Sequence, residues 1–270
     1  MTQLGCNYSQ PLLSFLAEGE VAVDWIKLSR EDTLLREVAE CRSIRPALVH
    51  TLRHAGMSPE AFSQIDWDEL NFAIAACRSP HVAIHLQSMA ADWDFPVDPA
   101  VQDGTVARRV LERMITHILA AQERLHVPLL LENIPLGGSR GNLWICARPA
   151  TICEALAATD TGLLLDTAHL RSAAWYLGMD PHAYALALPL ERVREIHVTG
   201  PRLVPGEGLR DRHRELLEED YALLAWLLER TSPAMVTLEY GGTGPTFERP
   251  GMTDPEALRR QLHRLKGMLA

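Results

Sequence analysis

The chain has 270 residues, 47% of them apolar, and a formal charge of −9, with lysine only at Lys27 and Lys266. That length buries a large core and suits a single domain over residues 1–270, with no linker to divide it. The acidic balance gives no overall reason to seek nucleic acid, and without an apolar run of about 18 residues no membrane-spanning helix is expected.

Eight short apolar runs, most of them separated by helical patterns, predict parallel strands with helical crossovers. The first two are Leu4 to Tyr8 and Ala22 to Leu28, with a short helix from Pro11 between them. The third, Pro46 to His50, follows a helix expected from Glu31. A helical segment from Ser58 to Cys77 opens on Ser-Pro-Glu, an N-cap with proline at the first helical position. The fourth strand, His81 to Leu86, carries His85 near its end. A helix expected over about Asp98 to Leu125 sets Val106, Val110, Leu111, Met114, Ile115 and Ile118 at the spacing of a core-facing stripe. The fifth strand, Pro128 to Leu131, runs into Glu132 and Asn133, with the glycine-rich LGGSRGN at 136–142 behind it.

The sixth strand ends in Asp-Thr-Ala-His, Asp166 to His169, and the seventh is VREIHV, carrying His197. Between them Trp175 to Leu188 reads as one or two short helices. Asp211 and His213 alternate within a polar loop, from which Arg214 to Leu217 enters a helix reaching about Arg230. The eighth strand, Ala234 to Leu238, ends in Glu239, and after a turn at Gly241 to Gly244 a helix from Asp254 closes the chain. This order is that of a closed (β/α)8 TIM barrel.

Catalytic groups of such barrels gather where strands run out into the following loops. Here strands three to eight end in His50, His85, Glu132, Asp166, His197 and Glu239. A single histidine at such a place is more often a rim residue, and a lone carboxylate often caps the next helix. Six of six consecutive strand ends point instead to a polynuclear metal site, joined by His169, Asp211 and His213. Imidazole and carboxylate suit iron, zinc or manganese, and the lack of thiolate argues against a structural zinc site. Glu132 is placed to bridge two cations.

The remaining histidines read as structural: His54, His117, His126, His182 and His263 lack partners at ligand spacing, and His81 starts strand four at the far end of the barrel. Lys27 is expected to pair with a carboxylate. Asn133 and Arg202 are the candidate substrate-binding groups. The cysteines, Cys6, Cys41, Cys77, Cys146 and Cys153, are odd in number and lack Cys-x-x-Cys spacing. Reduced thiols in a cytoplasmic protein without a signal peptide are the expectation.

The series His50, His85, Glu132-Asn133, Asp166-x-x-His169, His197, Asp211-x-His213, Glu239 resembles the xylose isomerase-like TIM barrels over nearly the whole chain. One branch, the endonuclease-four type of apurinic endonuclease, spells Asp-Thr-x-His and Asp-Arg-His in the same way. That likeness implies three metal sites: His50, His85 and Glu132; Glu132, Asp166, His197 and Glu239; and His169, Asp211 and His213. The other branch comprises multinuclear non-haem iron-dependent oxidative enzymes, including the methanobactin-biosynthesis oxidase. The LPLERVREIHVTG, VDWIKLS and GLLLD stretches look closer to it. Members of that branch usually have asparagine where His169 stands.

This resemblance implies an oxidative enzyme acting on a small or peptidic substrate, which a partner protein presents. It implies two or three divalent metal ions, iron foremost, with zinc or manganese as the alternatives. A metal-dependent phosphodiesterase of the apurinic endonuclease type is the second reading, and a sugar isomerase or epimerase the third. Arg53, Arg140, Arg171, Arg202, Arg210, Arg212 and Arg214 follow strands three to seven, and surface ion pairing is the expectation for most of them.

Overall fold

The computed structural model describes residues 1–28, 33–100, 104–137, 141–241 and 253–270, apart from the side chain of Leu52. Glu31, Arg140, much of the glycine-rich loop and the turn after Gly241 lie outside the described residues.

Eight parallel strands close into a barrel, in the order β1 (Gln3–Asn7), β10 (Met235–Leu238), β7 (Val193–Val198), β6 (Gly162–Asp166), β5 (Leu129–Glu132), β4 (Val82–His85), β3 (Ala47–His54) and β2 (Trp25–Leu28). Strands covered on both faces read as continuous apolar runs, and β5 and β10 are buried at every position. The helices α1 (Gln10–Glu18), α2 (Leu34–Cys41), α3 (Pro59–Ser63), α4 (Trp67–Cys77), α5 (Gly104–Gln122) and α6 (Pro149–Thr159) lie between the first six strands. The rest are α7 (Thr167–Leu177), α8 (Pro181–Leu186), α9 (Glu218–Leu228) and α10 (Pro255–Met268). Local chemistry sets their ends: Ser9 accepts the amide of Leu12 to start α1, and Gly19, at φ 72°, stops it in the left-handed region that favours glycine.

Several elements differ from the sequence reading. The segment 58–77 is two helices, because Asp66 leaves helical geometry and caps α4 by accepting the amide of Glu69 at 2.9 Å. The helix expected over 98–125 is described from Gly104 to Gln122, and 98–100 instead form a turn in which Asp98 accepts the amide of Ala100. α6 was not anticipated; its Pro149 opens the first turn and Ile152, Ala155 and Leu156 face the barrel. β3 continues four residues past His50, with a register shift against β4 between His50 and His54.

Two further differences shape the mouth. Asp166 ends β6 and at once caps α7 through the amide of His169, at 2.7 Å, so His169 stands in the first turn of a helix that begins well before Trp175. The polar stretch of Asp211 and His213 is not a loop: β8 (Gly200–Val204) and β9 (Gly208–Arg214) form an antiparallel hairpin outside the barrel. Arg214 therefore ends a strand, and α9 begins only at Glu218. Alternating polar residues hid this strand, since no second apolar face covers it.

All five cysteines are free. Among the described residues no helix is long and apolar enough to cross a membrane.

Candidate metal centre

Parallel strands carry six of the donors to one end of the barrel, and the first turn of α7 and the β8–β9 hairpin add the other three. His85, Glu132 and Asp166 are the last residues of β4, β5 and β6; His197 is one before the end of β7, and Glu239 one past β10. Glu132 lies between β4 and β6 with 1% exposure, and four imidazoles surround it. Its Oε2 is 2.6 Å from His50 Nε2 and 3.3 Å from His85 Nε2; its Oε1 is 3.3 Å from His169 Nδ1 and 3.7 Å from His197 Nδ1.

The remaining donors extend this centre. His197 Nδ1 is 3.3 Å from Glu239 Oε1. His169 Nε2 is 3.5 Å from Asp211 Oδ2, which is 3.1 Å from His213 Nε2, and His213 Nε2 is 3.5 Å from Glu239 Oε2. All nine expected ligands thus meet at the mouth. Three sets have donor atoms within 4.8 Å of one another: His50, His85 and Glu132; Glu132, Asp166 and His169; and Asp166, His197 and Glu239. The compact sets join His169 to Glu132 and Asp166, whereas Asp211 and His213 form a chain beside them.

This donor set fits cations. Asp166 Oδ2, His197 Nδ1 and His50 Nδ1 are buried without a hydrogen bond, and the first two belong to one compact set. A buried polar atom without a partner is costly, and a cation would satisfy both members of that set. The donors are imidazole and carboxylate throughout.

Burial and neighbouring charge act against each other here. Burial pushes the imidazoles of His50 to about 4 and His85 to about 3, so both are neutral near pH 7. Burial would raise Glu132, but His85 and His50 beside it hold its carboxyl well below the usual range. Burial raises Asp166. Burial opposes the charge on His169, yet Asp166, Asp211 and Glu132 hold it well above the ordinary value. For His197, burial and Lys27 push down, Glu132 and Glu195 push up, and the upward effect wins.

The other expected residues fall as follows. Lys27 Nζ pairs with Glu239, as expected of a buried lysine beside a carboxylate. The Asn133 side chain is tied to the backbone of Asp166: Nδ2 donates to its carbonyl at 3.0 Å and Oδ1 accepts its amide at 2.8 Å. The carbonyl of Asn133 takes His169 Nδ1 at 2.8 Å. Arg202 likewise donates to the carbonyls of Pro201 and Glu215, tying down the base of the hairpin. Arg171 binds Asp220 and Glu219, and Arg210 and Arg212 pair with Glu207.

Among the histidines read as structural, His54, His117 and His263 bond to backbone carbonyls. His81 was placed correctly at the far end but has a partner that the sequence reading missed, Glu195. The available signal was alternation, for Glu195 and His197 lie two apart on β7 and so share its inner face.

Comparison with known proteins agrees with this architecture. A UPF0276 protein of Bordetella pertussis is 35% identical over 152 residues, 54% of this chain and 51% of that one, so the chain spans about half the length of the Bordetella relatives it matches. A UPF0276 protein of Vibrio parahaemolyticus is 24% identical over 252 residues, 88% of this chain and 85% of that one. Among solved structures, endonuclease IV from Thermus thermophilus superposes with a TM-score of 0.56 at 19% identity, covering 99% of this chain and 98% of that one. The 3-keto-D-glucoside 4-epimerase of E. coli gives 0.59 at 12%, covering 99% and 100%. A xylose isomerase-like TIM barrel protein from Mycobacterium smegmatis, in complex with magnesium, gives 0.57 at 13%, covering 100% and 98%. These identities carry the fold alone, a xylose isomerase-like barrel. The family model for the RiPP precursor modification enzyme MbnB/TglH/ChrH matches residues 3–252, and the chain belongs to that family.

Proposed function

We propose that this chain holds two or three metal ions at the barrel mouth, iron foremost, and oxidatively modifies a peptide substrate that a partner protein presents, in the cytoplasm. One observation carries the reading: three compact donor sets are linked in series, the first two through Glu132 and the last two through Asp166, in a chain of a family that modifies RiPP precursors, peptides made on the ribosome and altered afterwards. His50, His85 and Glu132 would hold one ion. Asp166, His197 and Glu239 would hold a second, with Glu132 between the two. His169, Asp211 and His213 would hold a third.

Ions bound there would supply Lewis acidity toward a substrate atom and, with iron, a redox couple that passes electrons from the substrate to dioxygen. The protein's own groups prepare the place. His50 and His85 are neutral near pH 7 and need lose no proton to become ligands. The carbonyl of Asn133 accepts a hydrogen bond from Nδ1 of His169 and turns Nε2 toward Asp211. Lys27 offsets the negative charge of Glu239 on the β2 side. The side chains of His85 and His213, 17% and 21% exposed, are where a substrate would reach the centre.

The chain of His169, Asp211 and His213 favours a second reading, a metal-dependent phosphodiesterase. Such an enzyme must grip a polyanion with arginine or lysine near the metals. Arg171, Arg202, Arg210 and Arg212 are already engaged with carboxylates or carbonyls, which weighs against it. The deciding experiment is metal analysis of protein purified without chelator, followed by oxygen uptake with precursor peptides. Iron together with peptide-dependent oxygen uptake supports the oxidative reading. Incision of abasic duplex DNA with zinc or manganese, abolished by Asp166→Ala, overturns it.

A further inference from the structure

Beneath the ring of donors lies a second polar layer, where a barrel of this kind ordinarily packs branched apolar side chains. At its centre is Glu195 of β7, 2% exposed. Its Oε1 accepts the hydroxyl of Thr237 at 2.5 Å and lies 3.2 Å from His197 Nε2, while its Oε2 is 2.6 Å from His81 Nε2. Thr237 of β10 stands in register with His197 of β7. Gly5 of β1 makes room for this arrangement, since a Cβ there would lie 2.5 Å from Thr237 Oγ1. Residues of β1, β7 and β10, with His81 just ahead of β4, thus combine to hold one carboxylate.

Stability alone does not account for such a layer. Taking a carboxylate out of water is unfavourable, and apolar replacement of a buried ionic group is often neutral or stabilising. What the layer does accomplish is orientation. With Nε2 turned down to Glu195, His197 presents Nδ1 to Glu239 Oε1 at 3.3 Å and Glu132 Oε1 at 3.7 Å, and Nδ1 makes no hydrogen bond. His169 is held from behind in the same manner, by the carbonyl of Asn133. A ligand histidine whose outer nitrogen is fixed by an acceptor has its tautomer and ring plane set before the metal arrives.

We propose that Glu195 is a positioning residue of the metal centre: it fixes His197 through Nε2 so that Nδ1 is the ligand atom, and Thr237 and His81 fix the carboxylate in turn. This rests on the reading of the mouth as a metal centre. The test is zinc affinity by chelator competition for wild type, Glu195→Gln and Glu195→Ala. Circular dichroism and melting of the metal-free proteins, and visible spectra of their cobalt-loaded forms, accompany it.

Glu195→Ala is expected to weaken one zinc site by about 100-fold, and Glu195→Gln, which keeps an acceptor oxygen for His197, by about tenfold. The cobalt spectrum should change in both while the metal-free fold is retained; a merely structural role would leave that spectrum unmoved. Wild-type affinity and spectrum in both variants would overturn the proposal, as would zinc loss that only follows loss of fold. Should Glu195→Ala fail to fold, Glu195→Gln decides by the same criteria. A wild type that takes up no metal would overturn the reading of the mouth itself, whereas full uptake by wild type and variants alike overturns only the role of Glu195.

Discussion

The donors on the barrel strands and those on the β8–β9 hairpin are held in different ways. Glu132, Asp166 and His197 are 1%, 0% and 1% exposed, on strands with hydrogen-bonded neighbours on both sides. Asp211 and His213 have side chains 14% and 21% exposed, on a two-stranded ribbon of a kind that is marginal by itself. The ribbon relies on a few contacts: Ser172 Oγ is 3.1 Å from the carbonyl of Leu209, Tyr176 donates to the carbonyl of Glu207, and the amide of Gly241 donates to His213 at 2.9 Å. His213 has φ 46°, a left-handed conformation that a non-glycine residue adopts only when its surroundings enforce it. The deep donors are therefore set by the fold, whereas the outer pair depends on how well the hairpin docks against α7.

The largest expected effect comes from breaking the deep set. Glu132 belongs to two of the compact donor sets, so Glu132→Ala removes a ligand from both and leaves two cations facing each other unscreened. More than one equivalent of metal should be lost, measured by elemental analysis, with His263→Ala as the unaffected control. Equal metal in wild type and Glu132→Ala would show that Glu132 does not bridge. Asp211→Ala should be milder. It touches neither the set of His50, His85 and Glu132 nor that of Asp166, His197 and Glu239, so at most one equivalent should leave. A loss from Asp211→Ala as large as that from Glu132→Ala would erase the distinction between the two regions.

The same division governed what was legible in the sequence. The barrel strands showed because burial on both faces leaves unbroken apolar runs, as in the GLLLD of β6, and each run ended near its donor. The hairpin did not, because GLRDRHR of β9 alternates charged and half-buried residues without an apolar face and reads as loop. The backbone bonds of Asn133 and Arg202 were not legible for another reason: composition does not reveal that a carbonyl or amide already engages a polar group. Glu195 was passed over because an acid in the middle of a strand looks like a surface residue until the register turns it inward.

Acid should act on the deep set. In the folded chain, burial lowers His50 to about 4 and His85 to about 3 from an ordinary 6.5. The unfolded chain therefore takes up protons first as pH falls, and stability drops from about pH 6.5 downward through those values. Glu132, held well below its usual range, adds a loss of the same sign at lower pH. His169 and His197 act oppositely: their folded values are raised, so their contribution is fully present below 6.5 and is lost as pH rises through the folded values. The urea midpoint of metal-free protein should fall between pH 6.5 and 4, and His85→Gln should flatten that fall. A midpoint that holds level from pH 6.5 to 4 would mean that His50 and His85 titrate in the fold as they do in the unfolded chain.

The mildest loss is expected at the contact between α7 and the hairpin. Tyr176 on α7 donates its hydroxyl to the carbonyl of Glu207 at the hairpin turn, and its ring packs where a Cβ on Gly137 would stand, 2.1 Å away. Trp175 beside it fills the corresponding space over Gly208, with 2.5 Å to a Cβ there. Tyr176→Phe removes the hydroxyl and keeps the ring, so the loss should be about 1 kcal/mol, the ordinary net worth of one hydrogen bond. Because α7 belongs to the barrel wall and the hairpin does not, the loss should appear as faster amide exchange in 200–214, with β5 and β6 unchanged. Metal held by Asp211 and His213 should then loosen while that held by His50, His85 and Glu132 stays. Exchange that quickens equally in β5 would mean that the hairpin and the barrel open as one unit.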